Sequence, residues 1–99
     1  MRTLVELPTF TKQAEAIWDE AEYEAFTFWI AQNPEMGEII PGGRGTRKVR
    51  WKRPGTGKSG GVRVIYYHIV AAEQIVLMAI YAKSARENMP AHEIRKLIE

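Results

Sequence analysis

The chain has 99 residues, of which 45% are apolar and 26% charged, which predicts a single globular domain over residues 1–99. It contains no cysteine, which excludes disulfides, thiolate metal sites and cysteine nucleophiles, and its two histidines are too far apart for the usual zinc set. The longest apolar run is far shorter than the roughly 20 residues of a membrane span, and the first residues lack a signal-peptide pattern. We therefore expect a cytoplasmic protein without a metal or other cofactor.

The net charge of +2 conceals an uneven distribution along the chain. Residues 1–41 hold two basic and eight acidic side chains, a net charge of −6, and residues 64–99 hold four of each sign. Residues 42–63 hold eight basic side chains and no acidic one: Arg44, Arg47, Lys48, Arg50, Lys52, Arg53, Lys58 and Arg63. Such a block is typical of a surface that binds a polyanion, because each cation can replace a condensed counterion. A solvated basic loop is the alternative interpretation.

The first third of the chain predicts a strand followed by two helices. A β-compatible segment, residues 4–7, precedes apolar side chains at helical spacing. Asp19 followed by Glu22 resembles a capping box and predicts the start of a second helix, which ends before Pro34. Residues 9–33 therefore predict an α-hairpin with an acidic outer surface and aromatic residues in the core.

The following residues predict three neighbouring strands. A glycine-rich loop over residues 37–46 leads into a strand over residues 47–52, and further strands are predicted over residues 62–70 and 75–81. The connection 54–61 is predicted as a flexible hairpin loop. Because the connections are short, we expect the strands to pair in antiparallel fashion.

The C-terminal residues return to a helical pattern. Asn88 is the expected N-cap, Pro90 suits the first helical position, and Ile94 belongs to the buried stripe. The element order is thus β-α-α-β-β-β-α. It predicts an α+β fold in which helices pack on one face of an antiparallel sheet.

Cations and a tyrosine from the three strands are expected to meet on the open face of this sheet. With a period of two, Lys48, Arg50 and Lys52 of strand 47–52 share one face, and Val49 and Trp51 share the other. The set consists of Lys48, Arg50, Lys52, Arg63, Tyr81 and Lys83. Arginine and lysine can contact phosphate oxygens, and tyrosine can stack on a base. Such a set can bind RNA, or cleave it without a metal by promoting attack of the RNA's own 2′-hydroxyl.

Other possible motifs are weaker. The segment Gly57-Lys58-Ser59 is not a nucleotide-hydrolase loop, because that motif requires glycine where this chain has Lys52. The basic segment contains neither an acid nor a histidine, so acid–base or metal-dependent chemistry there would lack its usual residues. We interpret His68 as a partly buried structural residue.

An ordered series of short motifs resembles the HigB branch of the RelE toxin superfamily. The matching segments are Asn-Pro-Glu-Met-Gly at 33–37, Ile-Pro-Gly-Gly at 40–43, Arg-Gly-Thr-Arg-Lys-Val-Arg at 44–50, Gly-Lys-Ser-Gly-Gly-Val-Arg-Val-Ile-Tyr-Tyr at 57–67, Ile-Tyr-Ala-Lys at 80–83 and Glu-Asn-Met at 87–89. The resemblance implies a RelE-like α+β toxin that enters the ribosomal A site and cuts messenger RNA there without a metal, which inhibits translation. It also implies inhibition by an antitoxin with a helix-turn-helix domain, so that any contact with DNA occurs through the antitoxin.

The resemblance also suggests roles for individual residues. Lys48 and Arg50 match the paired cations of the family's second strand, and Arg63 matches the arginine of its third. This implies that Arg63 stabilises the transition-state phosphate and that Lys48 or Arg50 transfers a proton or neutralises charge. Tyr81 and Lys83 complete the candidate catalytic set.

The chain departs from the family pattern near its C-terminus. Some members have an arginine and a base-stacking tyrosine where this chain has Ser84 and Pro90. Lys83, Arg86 or Tyr81 are the candidates to replace them. The expected contacts to RNA or the ribosome are Arg44, Arg47, Lys52, Arg53, Lys58 and Arg86. Two alternatives use the same surface: a non-catalytic RNA- or ribosome-binding module, and a docking face for an acidic antitoxin segment.

Overall fold

The computed structural model describes residues 2–52, 61–86 and 88–98, which form five strands and three helices. The elements are β1 (Thr3–Glu6), α1 (Pro8–Ile17), α2 (Glu20–Gln32), β2 (Glu38–Ile39), β3 (Arg47–Trp51), β4 (Val62–Ile69), β5 (Gln74–Ala82) and α3 (Ala91–Ile98). The predicted α+β class is confirmed. Arg53, Lys58, the connection 54–60 and the first residue of the segment 87–89 lie outside the described residues.

The sheet has the strand order β1-β5-β4-β3-β2. As predicted, β3, β4 and β5 pair in antiparallel fashion. Two details differ from the prediction. A short strand, β2, forms within the predicted loop 37–46 and pairs with β3. The strand β1 pairs in parallel with β5, because the helical hairpin carries the chain across the sheet between β1 and the other strands, so the sheet is mixed.

The helical hairpin packs on one face of the sheet, as its aromatic stripe predicts. Phe26 of α2 is fully buried, with ring centroids 5.1 Å from Trp18, 6.2 Å from Trp29 and 5.4 Å from Trp51 of β3. The predicted cap is confirmed, since the Asp19 side chain accepts the N–H of Glu22 at 2.8 Å. The aromatic cluster therefore fixes β3 from the helical side.

The third helix covers part of the opposite face. Ile94 of α3 is fully buried and packs with Ile65 of β4 and with Met78 and Tyr81 of β5. These residues alternate with those that contact the hairpin, so they lie on the other side of the sheet. The hairpin thus forms the predicted helical layer on one face of the sheet. On the other face, α3 packs over a second, smaller core.

The start of α3 also differs from the prediction. Pro90 precedes the first helical residue, Ala91, and its carbonyl accepts the N–H of Glu93 at 3.0 Å. The prediction of Asn88 as N-cap is wrong, because its side-chain oxygen accepts a hydrogen bond from Lys48 of β3 instead. Among the described residues, no helix is long and apolar enough to cross a membrane.

A partly buried polar contact connects the hairpin to β1 and makes the stability of the protein depend on pH. The Tyr23 hydroxyl donates to the Glu6 carboxylate, which also accepts from Thr11 at 2.8 Å. That hydrogen bond, together with burial and the Glu6 charge, raises the pKa of Tyr23 from 10.0 to about 12. Because the folded-state pKa lies above the unfolded value, the contribution is complete below pH 10 and is lost as the pH rises towards 12.

We therefore expect Tyr23→Phe to destabilise the protein by about 1.5 kcal/mol at pH 8, the lower end of the range for a hydrogen bond to a charged group, because the contact is only partly buried. The difference from the wild type should shrink between pH 10 and pH 12, as Tyr23 ionises. Urea unfolding at several pH values measures it. Tyr67→Phe, on the opposite face, is the control, and a Tyr23→Phe difference that stays constant up to pH 12 would contradict the linkage.

Candidate nucleic-acid interface

The alternation of β3 separates Lys48 and Arg50 from its apolar residues, as predicted. Val49 and Trp51 belong to the core under the helical hairpin. Lys48 and Arg50 therefore point to the opposite face, where Lys48 is half-buried and Arg50 is exposed. The sequence of β3 thus anchors one side of the strand in the aromatic cluster and presents positive charge on the other.

The strand register places Arg50, Arg63 and Tyr81 in one row across β3, β4 and β5. Arg50 pairs with Arg63, and Arg63 pairs with Tyr81. The three residues differ in solvent exposure: Arg50 is exposed, whereas Arg63 and Tyr81 are only 6% and 5% exposed. Like charges that face each other across a ladder are destabilising, so the Arg50–Arg63 pair concentrates positive charge at a cost to the fold.

The segment after β5 closes around this row. The Arg86 guanidinium lies 5.7 Å from the centroid of the Tyr81 ring and forms a 2.9 Å salt bridge with Glu93 of α3. Its Nε also donates to the Asn88 carbonyl at 3.2 Å. The Asn88 side chain in turn accepts from Lys48 Nζ at 2.7 Å, which joins the C-terminal segment to β3.

The structure changes the expected role of Tyr81. A base can stack only on an accessible ring, and the Tyr81 ring is buried with Arg86 over it. The Tyr81 ring therefore packs beneath the Arg86 guanidinium as part of the core between the sheet and α3. The expectation that Tyr81 stacks on a base is wrong for this arrangement, and the cause is packing against α3, which the sequence pattern does not reveal.

Two further cations extend the row at one end of the sheet. Lys52 follows β3 and Lys83 follows β5, and both are exposed. Trp51 pairs with Val62 and Val62 with Ala82, so Lys52 and Lys83, which follow Trp51 and Ala82, lie at the same end of the sheet. Gly61 lies between them with φ +72, a conformation that favours glycine.

Not all the predicted cations join this group. Arg47 lies on the hairpin side of β3, where its guanidinium donates to the carbonyls of Gly37 at 2.8 Å and Glu35 at 3.3 Å and fixes that loop. Arg44 is exposed in the β2–β3 connection, at the end of β3 away from Lys52. The residues brought together, hereafter the cationic face, are Lys48, Arg50, Lys52, Arg63, Tyr81, Lys83 and Arg86.

The chemistry of the cationic face is that of anion binding. It combines exposed and half-buried cations over a buried arginine, which suits contacts with several phosphate oxygens. Sequence reasoning missed Asn88 and Glu93 as neighbours of the site, and it expected Asn88 to cap the last helix. Within the described part of the chain, no group of three or more His, Asp or Glu side chains could hold a metal ion.

Comparisons with known proteins agree with this architecture. No protein-family model matches the chain. A solved structure of E. coli toxin RelE in the free state, a double arginine-to-alanine mutant, is similar with a TM-score of 0.66 and 14% identity, and the match covers 99% of this chain and 98% of that one. The intact E. coli RelBE toxin–antitoxin complex contains a chain that matches with a TM-score of 0.63 and 10% identity, over 83% of this chain and 96% of that one.

The first match spans almost the whole of both chains and the second covers most of this one, so the similarity is not confined to one motif. It confirms the resemblance seen in the sequence at the level of the fold. The protein therefore has the α+β fold of the RelE toxins.

Proposed function

We propose that the protein is the toxin of a type II toxin–antitoxin pair and a metal-independent endoribonuclease that cleaves messenger RNA in the ribosomal A site. The observation that carries this proposal is the row Arg50–Arg63–Tyr81, flanked by Lys48, on a RelE-like sheet. Its members come from three strands and converge on one face. In this proposal the protein acts in the cytoplasm and inhibits translation.

The cationic face contains groups for each step of metal-free RNA cleavage. The RNA 2′-hydroxyl loses its proton to a base as its oxygen forms a bond to the adjacent phosphorus. The bond from phosphorus to the 5′-oxygen breaks and that oxygen takes up a proton from an acid, which leaves a 2′,3′-cyclic phosphate and a 5′-hydroxyl. Arg50 and Arg63 stabilise the negative charge that develops on the phosphate oxygens. Lys48 or Arg50 takes part in proton transfer or charge neutralisation, and the Lys48–Asn88 hydrogen bond holds the lysine in place.

The different solvent exposure of Arg50 and Arg63 suggests that the two arginines have different roles. Arg50 is exposed and meets the phosphate first, whereas Arg63 is buried next to it and raises the local positive potential. Lys52, Lys83 and Arg86 lie around them and suit contacts with flanking phosphates of the messenger or with ribosomal RNA.

The proposed partners are the messenger, the ribosome and an antitoxin with a helix-turn-helix domain. The RelBE complex contains a toxin and an antitoxin, which supports the same kind of partnership for this chain. DNA would be contacted only through the antitoxin. A non-catalytic RNA- or ribosome-binding module with the same cationic face is the alternative function.

Mapping RNA 5′ ends in a translating extract distinguishes the two functions. We expect the wild-type protein to create new 5′-hydroxyl ends within translated messages, and the exposed-site variant Arg50→Ala to lower their yield at least tenfold. Lys12→Ala, which removes an exposed cation from α1, is the control and should cleave like the wild type. RNA binding that weakens with salt but creates no new ends would instead support the binding module.

A further inference from the structure

A hollow of about 360 Å³ lies at the edge of β3, next to the cationic face. The short strand β2 pairs with Arg47 and Lys48, so the edge of β3 beyond Lys48 has no neighbouring strand in the described part of the chain. The lining of the hollow consists of Trp29, Met36, Glu38, Lys48, Val49 and Arg50. The hollow therefore joins the aromatic side of the sheet to two of the cations that are proposed to contact the messenger.

Part of the hollow is apolar and aromatic. Trp29 is partly buried, and its ring centroid lies 5.2 Å from that of Trp51 and 6.2 Å from that of Phe26. The aromatic cluster therefore fixes the ring, while part of the ring is accessible from the hollow. Met36 is 61% exposed and adds a flexible thioether to the same lining. Such a surface suits a nucleobase, because every base has a flat face that stacks on aromatic side chains.

The hollow also contains a carboxylate, that of Glu38. Glu38 pairs with Lys48 across β2 and β3, and paired residues place their side chains on the same face of a sheet. The fold thus brings an acidic side chain to the cationic face, although the basic segment 42–63 contains none. Glu38 is exposed, and no described residue donates a hydrogen bond to its carboxylate. The Lys48 amine donates to Asn88 at 2.7 Å instead.

A carboxylate at this position distinguishes between the bases of RNA. When ionised it repels phosphate and can only accept hydrogen bonds. On the Watson–Crick edges of the four RNA bases, guanine alone presents two adjacent donors, N1–H and N2–H₂, which match the two carboxylate oxygens. Uracil presents two carbonyl oxygens that repel a carboxylate, and adenine and cytosine each have an acceptor next to the amino group. Single-stranded RNA exposes these edges to a protein.

We propose that the hollow binds the guanine base of a nucleotide next to the cleaved bond, and that the Glu38 carboxylate accepts hydrogen bonds from N1 and N2 of that base. This inference rests on the proposed function, which places the substrate phosphate on the cationic face. Lys48 and Arg50 line the same hollow, so a phosphate held by them leaves the attached base at its entrance. The base then stacks against Trp29 and Met36. Glu38 thus determines which sites in a message are cut.

Base frequencies around the RNA 5′ ends mapped in a translating extract test the inference, because a purely structural role of Glu38 would not change them. We expect the wild type to favour guanine over the other bases about fivefold at one of the two positions that flank the cut, since a bidentate contact discriminates at least that well. Glu38→Gln keeps the size of the side chain but replaces one acceptor with a donor, so the preference should fall below about twofold. Glu35→Gln removes the same charge from an exposed residue outside the hollow and should keep the wild-type preference.

The possible outcomes separate this inference from the proposed function. New 5′ ends without a guanine preference in the wild type, or with the same preference in Glu38→Gln, would overturn the guanine site and leave the ribonuclease proposal intact. Loss of the preference in Glu35→Gln as well would also overturn the guanine site, because the effect would then follow net charge and not position. If the wild type creates no new 5′ ends, the ribonuclease proposal fails and the guanine site fails with it.

Discussion

Replacing Arg63 with alanine is expected to abolish growth arrest on induction and to slow messenger cleavage by a factor of about 10² to 10³, the usual cost of losing one transition-state donor. Arg63 is the central member of the row Arg50–Arg63–Tyr81 and is only 6% exposed. A cation held in a poorly hydrated position interacts more strongly with developing negative charge than one in bulk water. Growth after induction and the yield of new 5′ ends measure the loss.

Two further variants separate catalysis from folding. Arg63 is buried and its guanidinium donates to the Val62 carbonyl at 3.3 Å, so thermal unfolding of Arg63→Ala must be compared with that of the wild type. Arg63→Lys keeps the charge but loses the planar fork of donors, and we expect an intermediate rate. Lys12→Ala is the control for an equal change in net charge. Equal toxicity of folded Arg63→Ala and wild type would remove Arg63 from the mechanism.

Local signals were sufficient for much of the fold. Asp19 caps α2 as its spacing from Glu22 predicts, and the helix ends before Pro34. The alternation along β3 correctly placed Lys48 and Arg50 on one face. Each of these features depends on residues within a few positions of one another, so the sequence pattern contains the necessary information.

The features that the sequence did not predict depend on contacts between distant residues. The parallel pairing of β1 with β5 joins Thr3 to Gln74, and no local pattern specifies which edge of a sheet a short strand joins. The same holds for α3. Its apolar stripe was evident, but the face that it covers is set by packing of Ile94 against Ile65 and Met78.

The candidate site shows the same division. The residues that β3 and β4 contribute to the site could be predicted from the alternation of side chains along each strand. The solvent exposure of those residues could not. Tyr81 was expected to be accessible but is covered from the α3 side, and Asn88 was expected to cap a helix but bonds to Lys48, 40 positions earlier. Arg47 belongs to the same basic run as Lys48, yet strand alternation and its bonds to the 35–37 loop direct it to the other face.

The aromatic cluster on the hairpin side supports the cationic face, and Phe26→Ala is expected to show this through a large loss of stability. Phe26 is fully buried and in ring contact with three tryptophans, one of which, Trp51, lies on β3. Truncation of a buried phenylalanine costs about 3–5 kcal/mol. This is a large share of the roughly 5–15 kcal/mol that stabilises a domain of ordinary size. Urea unfolding followed by tryptophan fluorescence measures the change, because the probes surround the cavity.

Phe28 provides the matched control on the same helix. It lies two residues further along α2 and is 71% exposed, so Phe28→Ala should change the free energy of unfolding by no more than about 0.5 kcal/mol. Comparable losses from the two substitutions would show that Phe26 does not anchor β3. We expect Phe26→Ala to lose toxicity although it leaves every cation in place. The positions of Lys48 and Arg50 depend on the strand, and the strand depends on the aromatic side chains packed against its other face.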